Sequence, residues 1–488
     1  MANRLRLCAM LAGVAFLCAC SFAPAYHAPQ TALPDSFKEA GGWQAARPAD
    51  RIARDGWWKA FRDPVLDRLE ARVAAANPDV AAAVARHDEA AALFDQARSG
   101  LFPTIGLGAQ VSSNRQSATR PLRGANQPNV YGDNTLDAGF DYDLDLWGKV
   151  RNEVAAGRAD AQASADDLAS VRLSLQASLA SAYFSLRGLD QQQQLLADTI
   201  DTYRRALRLT MSRHAGGIAS DLDVSRAQTQ LDSARASAED VRARRALDEH
   251  AIATLTGVPA SSFSLMPDVN AVYLPTIPTG IPATLLQRRP DVAAAERRMA
   301  AANAKIGVVR AAFFPDVTLG LVGGYQSSGL GHWLRAPNEI WSIGPSLALT
   351  LFDGGRRQAL TDQARAQLAE NGAKYRAVVL DACRQVEDNL ALTHHLGDEA
   401  DREQEALDAA ERTLQLSMSR YRDGVVSYLD VVTAQATELD TKIAMLALNT
   451  RRQLAAVGLI AALGGGWSTD EAASGTQALA ATTPRSAN

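Results

Sequence analysis

Two long tracts of this chain contain no proline. None of its 19 prolines lies between Pro128 and Pro259, or between Pro345 and Pro484. Proline lacks the amide hydrogen a helix needs and costs about 3 kcal/mol or more in a helix interior, so it punctuates ordinary domains. Two such tracts, each well over 100 residues, point to very long helices. Composition agrees with that reading. Apolar residues make up 47% of the chain but aromatic ones only 6%. Much of the apolar content is therefore alanine, which suits slender helices better than a thick globular core. The length of 488 residues allows about three ordinary domains. A net charge of −4 lacks the basic excess of a nucleic-acid-binding protein. A mean hydropathy of −0.14, with one long apolar run, excludes a polytopic helical membrane protein.

That apolar run is a targeting signal. Arg4 and Arg6 precede Leu7–Ala19, a charged region followed by a short apolar one, as in a secretory signal. The run ends Leu17-Cys18-Ala19-Cys20, which resembles a bacterial lipobox. The resemblance implies removal of residues 1–19 and lipid on the sulfur of Cys20. Ser21 is typical of lipoproteins sent to the outer membrane. Several acyl chains, at about 0.8 kcal/mol per buried CH₂, would anchor residues 20–64 firmly. Loss of Arg4 and Arg6 takes the charge from −4 to −6. Cys383 is then the one remaining thiol beyond the anchor, so no intrachain disulfide framework is expected. Its helical setting, without metal-ligand neighbours, reads as a small buried helix residue.

The chain repeats itself. Asn77-Pro78-Asp79-Val80-Ala81-Ala82-Ala83 recurs as Arg289-Pro290-Asp291-Val292-Ala293-Ala294-Ala295. Arg98–Pro103 recurs as Arg310–Pro315, Ser212–Gln228 as Ser419–Gln435, and Ala253–Gly257 as Ala461–Gly465. Four matches in one order, at offsets of 207 to 212, define two copies of one unit. The first spans 65–258: a helix over 65–99, a hairpin over 101–147, a long helix over 149–213 and a return helix over 220–256. A proline-rich linker follows over 259–284. The second spans 285–467: a helix, a hairpin over 313–352, a long helix over 355–422 and a return helix over 427–463. Residues 468–488 read as a disordered tail.

The strands alternate. Leu136, Ala138, Phe140, Tyr142, Leu144 and Leu146 oppose Asp137, Gly139, Asp141, Asp143 and Asp145. Ile105, Leu107, Ala109 and Val111 form another apolar row, as do Val317, Leu319 and Leu321, and Ile343, Pro345, Leu347, Leu349 and Leu351. Phe102, Trp147, Phe313, Phe314, Trp341 and Phe352 sit near the strand ends, as in an interfacial girdle. Four strands are too few to close a barrel, which needs about eight. Too little strand sequence remains to build a covering sheet. The sheet must pair with copies of itself: two copies give eight strands and three give twelve. Counting leaves dimer and trimer open. The long helices, about 98 and 102 Å at 1.5 Å per residue, cannot share one globular core and suit a periplasmic helical tube.

Together these residues match a family. The chain resembles the TolC-like outer membrane efflux proteins, in the lipidated OprM/NodT-type branch that serves RND multidrug pumps. The matching stretches are Trp57-Trp58-Lys59-Ala60-Phe61-Arg62-Asp63-Pro64, Asp143–Gly148, Arg289-Pro290-Asp291, Ala311–Pro315, Leu351–Arg356, Tyr421–Leu429 and Ala462–Trp467. The resemblance implies a homotrimer. It forms a twelve-stranded outer-membrane β-barrel, four strands per chain, continuous with a long periplasmic α-helical barrel. It also implies passive export, with a periplasmic membrane-fusion adaptor and an inner-membrane RND pump as partners. A conduit for type I protein secretion shares this fold and is the alternative. An adhesin stalk would need sustained heptads instead of two symmetric hairpins.

No nucleophile elbow, phosphate-binding loop or zinc-protease motif is present, so an enzyme, a cofactor and a bound metal are not expected. His394 and His395 occupy adjacent helix positions that face different directions and read as a solvated surface feature. By resemblance, Tyr421 and Leu429 belong to a closed periplasmic constriction, with Asp430 and Asp223 as acidic ring members. Gly217, Ile218, Ala219, Ser220 and Gly424, Val425, Val426, Ser427 form adaptor-contacting turns. Thr433 and Ala436 stand where the family pattern has an acid and an arginine. Gly216 and Gly217 suit a helix end, and Ser220 or Asp221 can cap the next helix; Asp430 lies a turn inside its helix. Asp137, Asp141, Asp143 and Asp145 are expected to line the pore and favour cations, unless Arg120 or Arg123 neutralises them.

Overall fold

The computed structural model describes residues 21–27, 37–39, 56–120, 124, 127–275, 277 and 289–465. The signal peptide, Cys20, Arg123, the end of the linker and the tail lie outside these. The helices are α1 Pro64–Ala76, α2 Pro78–Ser99, α3 Lys149–Ala215, α4 Asp221–Leu255, α5 Pro290–Ala311, α6 Arg356–Arg422 and α7 Tyr428–Ala462. The strands are β1 Thr104–Arg115, β2 Val130–Asp143, β3 Asp316–Ser327 and β4 Glu339–Ala348. α3 and α6 each run 67 residues, about 100 Å at 1.5 Å per residue, and the return helices α4 and α7 each run 35. Among the described residues no helix is long and apolar enough to cross a membrane.

Two compact units share the long helices. One holds the sheet and comprises the described residues of 1–30, 86–165 and 294–376; the other comprises the described residues of 31–85, 166–293 and 377–488. In the first unit the four strands form one antiparallel sheet in the order β1-β2-β3-β4. The two hairpins are therefore joined by β2–β3 pairing, from Asn134 opposite Ser327 to Asp143 opposite Thr318.

In the second unit a core gathers Trp57, Phe61, Leu66, Leu69, Tyr183, Phe184, Ile252, Leu390, Val457 and Ile460. The Trp57–Phe61 stretch is thus packing: it forms a 3₁₀ turn whose Trp57 indole donates to Gln176 Oε1 at 3.3 Å. The single helix expected over 65–99 is two helices. Asn77 is extended because Pro78 pushes its predecessor out of the helical region. Its Oδ1 caps α2 by accepting from the Asp79 and Val80 amides at 2.8 and 3.2 Å, and its Nδ2 donates to Leu255 O at 2.8 Å. Arg289 does related work before α5. It grips Asp291 with Nε and Nη2 at 3.1 and 2.7 Å, and its Nη1 donates to Gln385 Oε1 at 3.0 Å and Ala462 O at 2.9 Å. Cys383, expected to be buried, is half-exposed on α6.

Glu70 is an anomaly in this core. It is fully buried, and neither carboxylate oxygen has a hydrogen-bond partner. Burial, reinforced by the Asp67 carboxylate one turn away, pushes its pKa up to about 9. The folded protein therefore holds a proton there that the unfolded chain releases above about pH 4.3. The stability tied to this proton is complete in acid and is lost as pH rises toward 9. Thermal melts of wild type and Glu70→Gln between pH 5 and 9 test this. Wild type should lose stability relative to the variant by up to about 1.4 kcal/mol per pH unit; parallel curves would contradict it.

Candidate functional site

The sheet sorts its side chains by register. Paired residues in adjacent strands point to the same side. One face collects Ile105, Leu107 and Val111 with Phe140, Leu136, Leu319, Leu321, Ile343 and Leu347. Ile105, Leu107 and Trp341 on this face are 78%, 79% and 77% exposed, an apolar surface with no cover in a single chain. The opposite face is small and polar. Asp137 lies between Gly108 and Gly324, and Asp141 between Thr104 and Gly320. A β-carbon on Gly324 would come within 2.1 Å of Leu136 O and 2.7 Å of Asp137 Cα, so the backbones close up beside the acid.

Asp137, Asp141 and Asp143 share this face as expected from alternation. Asp145 does not. β2 ends at Asp143, and Asp145 sits in the strand-to-helix turn with a φ of 41°. There its carboxylate accepts from the Val150 and Arg151 amides at 2.9 and 3.0 Å and pairs with Arg151 Nε at 3.0 Å. Asp353 makes the matching turn before α6, pairing with Arg357 Nε at 2.6 Å. β2 also begins earlier than expected, which adds Asp133 to the polar face, where it accepts from Gln326 Nε2 at 2.9 Å. The alternation Tyr131, Asp133, Thr135 was the available signal. β4 ends at Ala348, so Leu349 and Leu351 lie beyond the sheet. Arg120 is bonded to Gln116 Oε1 at 3.4 Å, not to the acids of β2.

Residues 21–27 are fastened within the same unit. The Phe22 ring stacks on Phe314 at 4.4 Å, and Phe314 stacks on Trp147 at 5.0 Å. Ser21 Oγ donates to Asn152 Oδ1, Asn303 Nδ2 donates to Pro24 O, and Tyr26 OH donates to Glu296 Oε1 at 2.7 Å. Burial and the Glu296 contact hold the Tyr26 hydroxyl well above the ordinary phenol range. Gly307 permits the approach: a β-carbon there would meet Asn152 at 2.5 Å and Ala23 at 2.9 Å.

In the second unit the two helix–turn–helix tips are near copies. α3 and α6 each end on a glycine in the left-handed region, Gly217 and Gly424, both with φ 74°. The amide of Ile218 returns to Arg213 O at 2.8 Å, and that of Val425 to Arg420 O at 2.9 Å. The cap of α4 is Ser220, not Asp221: Ser220 Oγ accepts from the Asp223 amide, and Asp223 Oδ2 accepts from Ser220 N and Oγ. Asp221 points outward, 3.5 Å from His214 Nε2. Asp430 caps as Asp223 does, accepting from Ser427 N at 3.0 Å and Oγ at 2.8 Å. The turn tips are exposed and apolar, Ile218 at 78% and Val425 at 70%. Leu429 is also exposed.

Tyr421 is buried. Its ring lies 5.3 Å from Tyr428, within a cluster containing Tyr203, Leu207, Leu231 and Val431. Burial raises the Tyr428 hydroxyl and pushes that of Tyr203 up to about 12, so both stay neutral. Arg213 covers Tyr421 with its guanidinium 4.6 Å from the ring centroid and donates to Tyr421 O and Arg422 O at 3.2 and 3.3 Å. It thereby fastens the end of α3 to the end of α6. Sequence reasoning assigned Arg213 no role. The available signal was that Arg213 pairs with Arg420 in the repeat. Replacing Arg213 by Ala removes charge-assisted bonds worth about 1.5 kcal/mol or more. Amide exchange across residues 421–430 should accelerate about tenfold, while the core around Tyr183 keeps its protection. Unchanged exchange at the tip would contradict the fastening role.

This arrangement has relatives. The chain is 30% identical over 452 residues to the antibiotic efflux pump outer membrane protein ArpC of Pseudomonas putida, covering 92% of this chain and 93% of that one. It is 32% identical over 470 residues to the pyoverdine export outer membrane protein OpmQ of Pseudomonas aeruginosa, covering 94% and 97%. The crystal structure of the outer membrane protein VceC of Vibrio cholerae superposes with a TM-score of 0.80 at 29% identity, over 86% of this chain and all of that one. The family model for outer membrane efflux proteins matches residues 71–258 and again 281–465. The chain belongs to the outer membrane efflux protein family.

Proposed function

We propose that this chain is the outer-membrane exit duct of a tripartite RND-type efflux system. It conducts drugs or other small toxic compounds passively, without chemistry of its own. The observation that carries the reading is the four-stranded sheet, apolar and exposed on one face, polar on the other and unpaired at β1 and β4. Three copies would join these edges into a twelve-stranded barrel with the apolar face toward lipid and the acids of β2 toward the lumen. The names of the relatives, an antibiotic efflux pump component and a pyoverdine export component, support export.

The same reading makes the chain two repeats, 65–258 and 285–467, around the linker 259–284. Support comes from paired details: helices of equal length, the two glycine-ended tips, the Asp–Arg turns before α3 and α6, and the bonds from Asn77 to Leu255 O and from Arg289 to Ala462 O. Cys20 carries the lipid that holds the chain at the outer membrane. The fastening of Ser21 and Phe22 beside Trp147 and Phe314, an aromatic cluster at the strand ends, supports that anchor. Residues 217–220 and 424–427 meet the periplasmic adaptor, and the exposure of Ile218 and Val425 suits an apolar docking surface. Tyr421 and Leu429 hold the periplasmic end shut, with Asp223 and Asp430 both capping helices and adding negative charge beside it.

Conductance in planar bilayers tests the constriction. Tyr421→Ala and Leu429→Ala should each raise resting conductance several-fold; if neither does, the assignment is wrong. Reversal potentials in asymmetric KCl test the pore face. Asp137, Asp141 and Asp143 predict cation preference, weakened in the triple Asn variant; anion preference in wild type would contradict it. Deletion from the host should sensitise it to antibiotics, with complementation restoring resistance. Unchanged susceptibility across a broad panel would count against efflux.

A further inference from the structure

His394, His395 and Asp398 stand together on α6, exposed in the single chain. One ligand atom from each lies within 4.8 Å of the other two, and all three side chains are exposed. Their adjacency in sequence suggested rings pointing apart. In the structure the two imidazole centroids are 5.1 Å apart, tilted by 56°. Asp398 is one helical turn from His394 on the same face, with its Oδ2 3.9 Å from His394 Nε2. The backbone beneath is held. Leu396, between the ligands, is buried against Leu448 and Ala455 of α7, and Glu399 is engaged by Arg451 at 2.9 Å. Arg402, one turn from Asp398, is bound instead to Glu405 at 3.1 Å, and Asp398 faces His394.

We propose that His394, His395 and Asp398 form a binding site for a borderline transition-metal cation such as Zn²⁺ or Cu²⁺. Two imidazole nitrogens and one carboxylate oxygen are the donor set these ions take, and water fills the remaining positions. Side-chain rotation at exposed positions brings the three ligand atoms each to within roughly 2.0–2.2 Å of one ion placed between them. A site on one rigid helix turn binds without refolding.

The test is isothermal titration of Zn²⁺, and separately of Cu²⁺, into the full detergent-solubilised protein purified through a tag without histidine. The expected result is one equivalent per chain. It should weaken about tenfold or more in His394→Ala, in His395→Ala and in Asp398→Asn, while His332→Ala keeps it. Copper electron paramagnetic resonance supplies a second readout: hyperfine coupling to two nitrogens in wild type and to one in either histidine variant. Titrations that do not change in the His394→Ala/His395→Ala double variant would overturn the proposal, as would a copper spectrum without nitrogen coupling. Circular dichroism of each variant separates loss of ligand from loss of fold.

Discussion

A sheet of four strands with one bare apolar face is the constraint on which everything else in this chain depends. Leu107 and Ile105 cannot remain in water at the exposure they have in a single chain, and β1 and β4 present unpaired backbone. No second sheet exists among the described residues to cover that face. Lipid on the apolar side and further copies at both edges satisfy both demands at once. The polar face follows from the same logic: glycines beside Asp137 and Asp141 leave room for charged groups to face water.

The helices obey a different rule, close approach through small side chains. Gly188 leaves no room for a β-carbon against Thr450, nor Gly458 against Asn389. Where charges are buried, they fasten segments together. Asp190 is fully buried between Arg187 and Arg245, with contacts of 2.8 and 2.6 Å, and also accepts from the Asp268 amide at 3.0 Å. That arrangement ties the stretch after α4 down onto α3 and α4. Breaking such a pair on one side leaves an uncompensated charge, typically at a cost of about 3–5 kcal/mol.

Much of this was legible in sequence because it rests on periodicity and punctuation. Each proline-free tract contains one long helix and its return helix, α3–α4 and α6–α7, and alternation separated the two faces of the sheet. What sequence missed depends on local competition for hydrogen bonds. Pro78 looked like a tolerable residue within one helix, but Asn77 is better satisfied as a cap bonded to Leu255 O. Asp145 continued the alternation on paper, yet the turn needs its carboxylate for the Val150 and Arg151 amides. Asp430, a turn inside its helix, turned out to be the reciprocal partner of Ser427. Arg213 was missed because its contacts with Tyr421 lie 208 residues away, and the repeat that pairs it with Arg420 does not show which chain segment it grips. The faces of His394 and His395 were judged from helix geometry alone, which fixes Cβ directions but not ring positions.

The central claim is that one chain contributes a third of a closed barrel. Native mass spectrometry of the detergent-solubilised protein measures this most directly. The account predicts a trimer that resists dissociation until the β-structure itself melts. A folded monomer or a stable dimer would contradict it, since neither gives twelve strands and the monomer leaves the edges of β1 and β4 open.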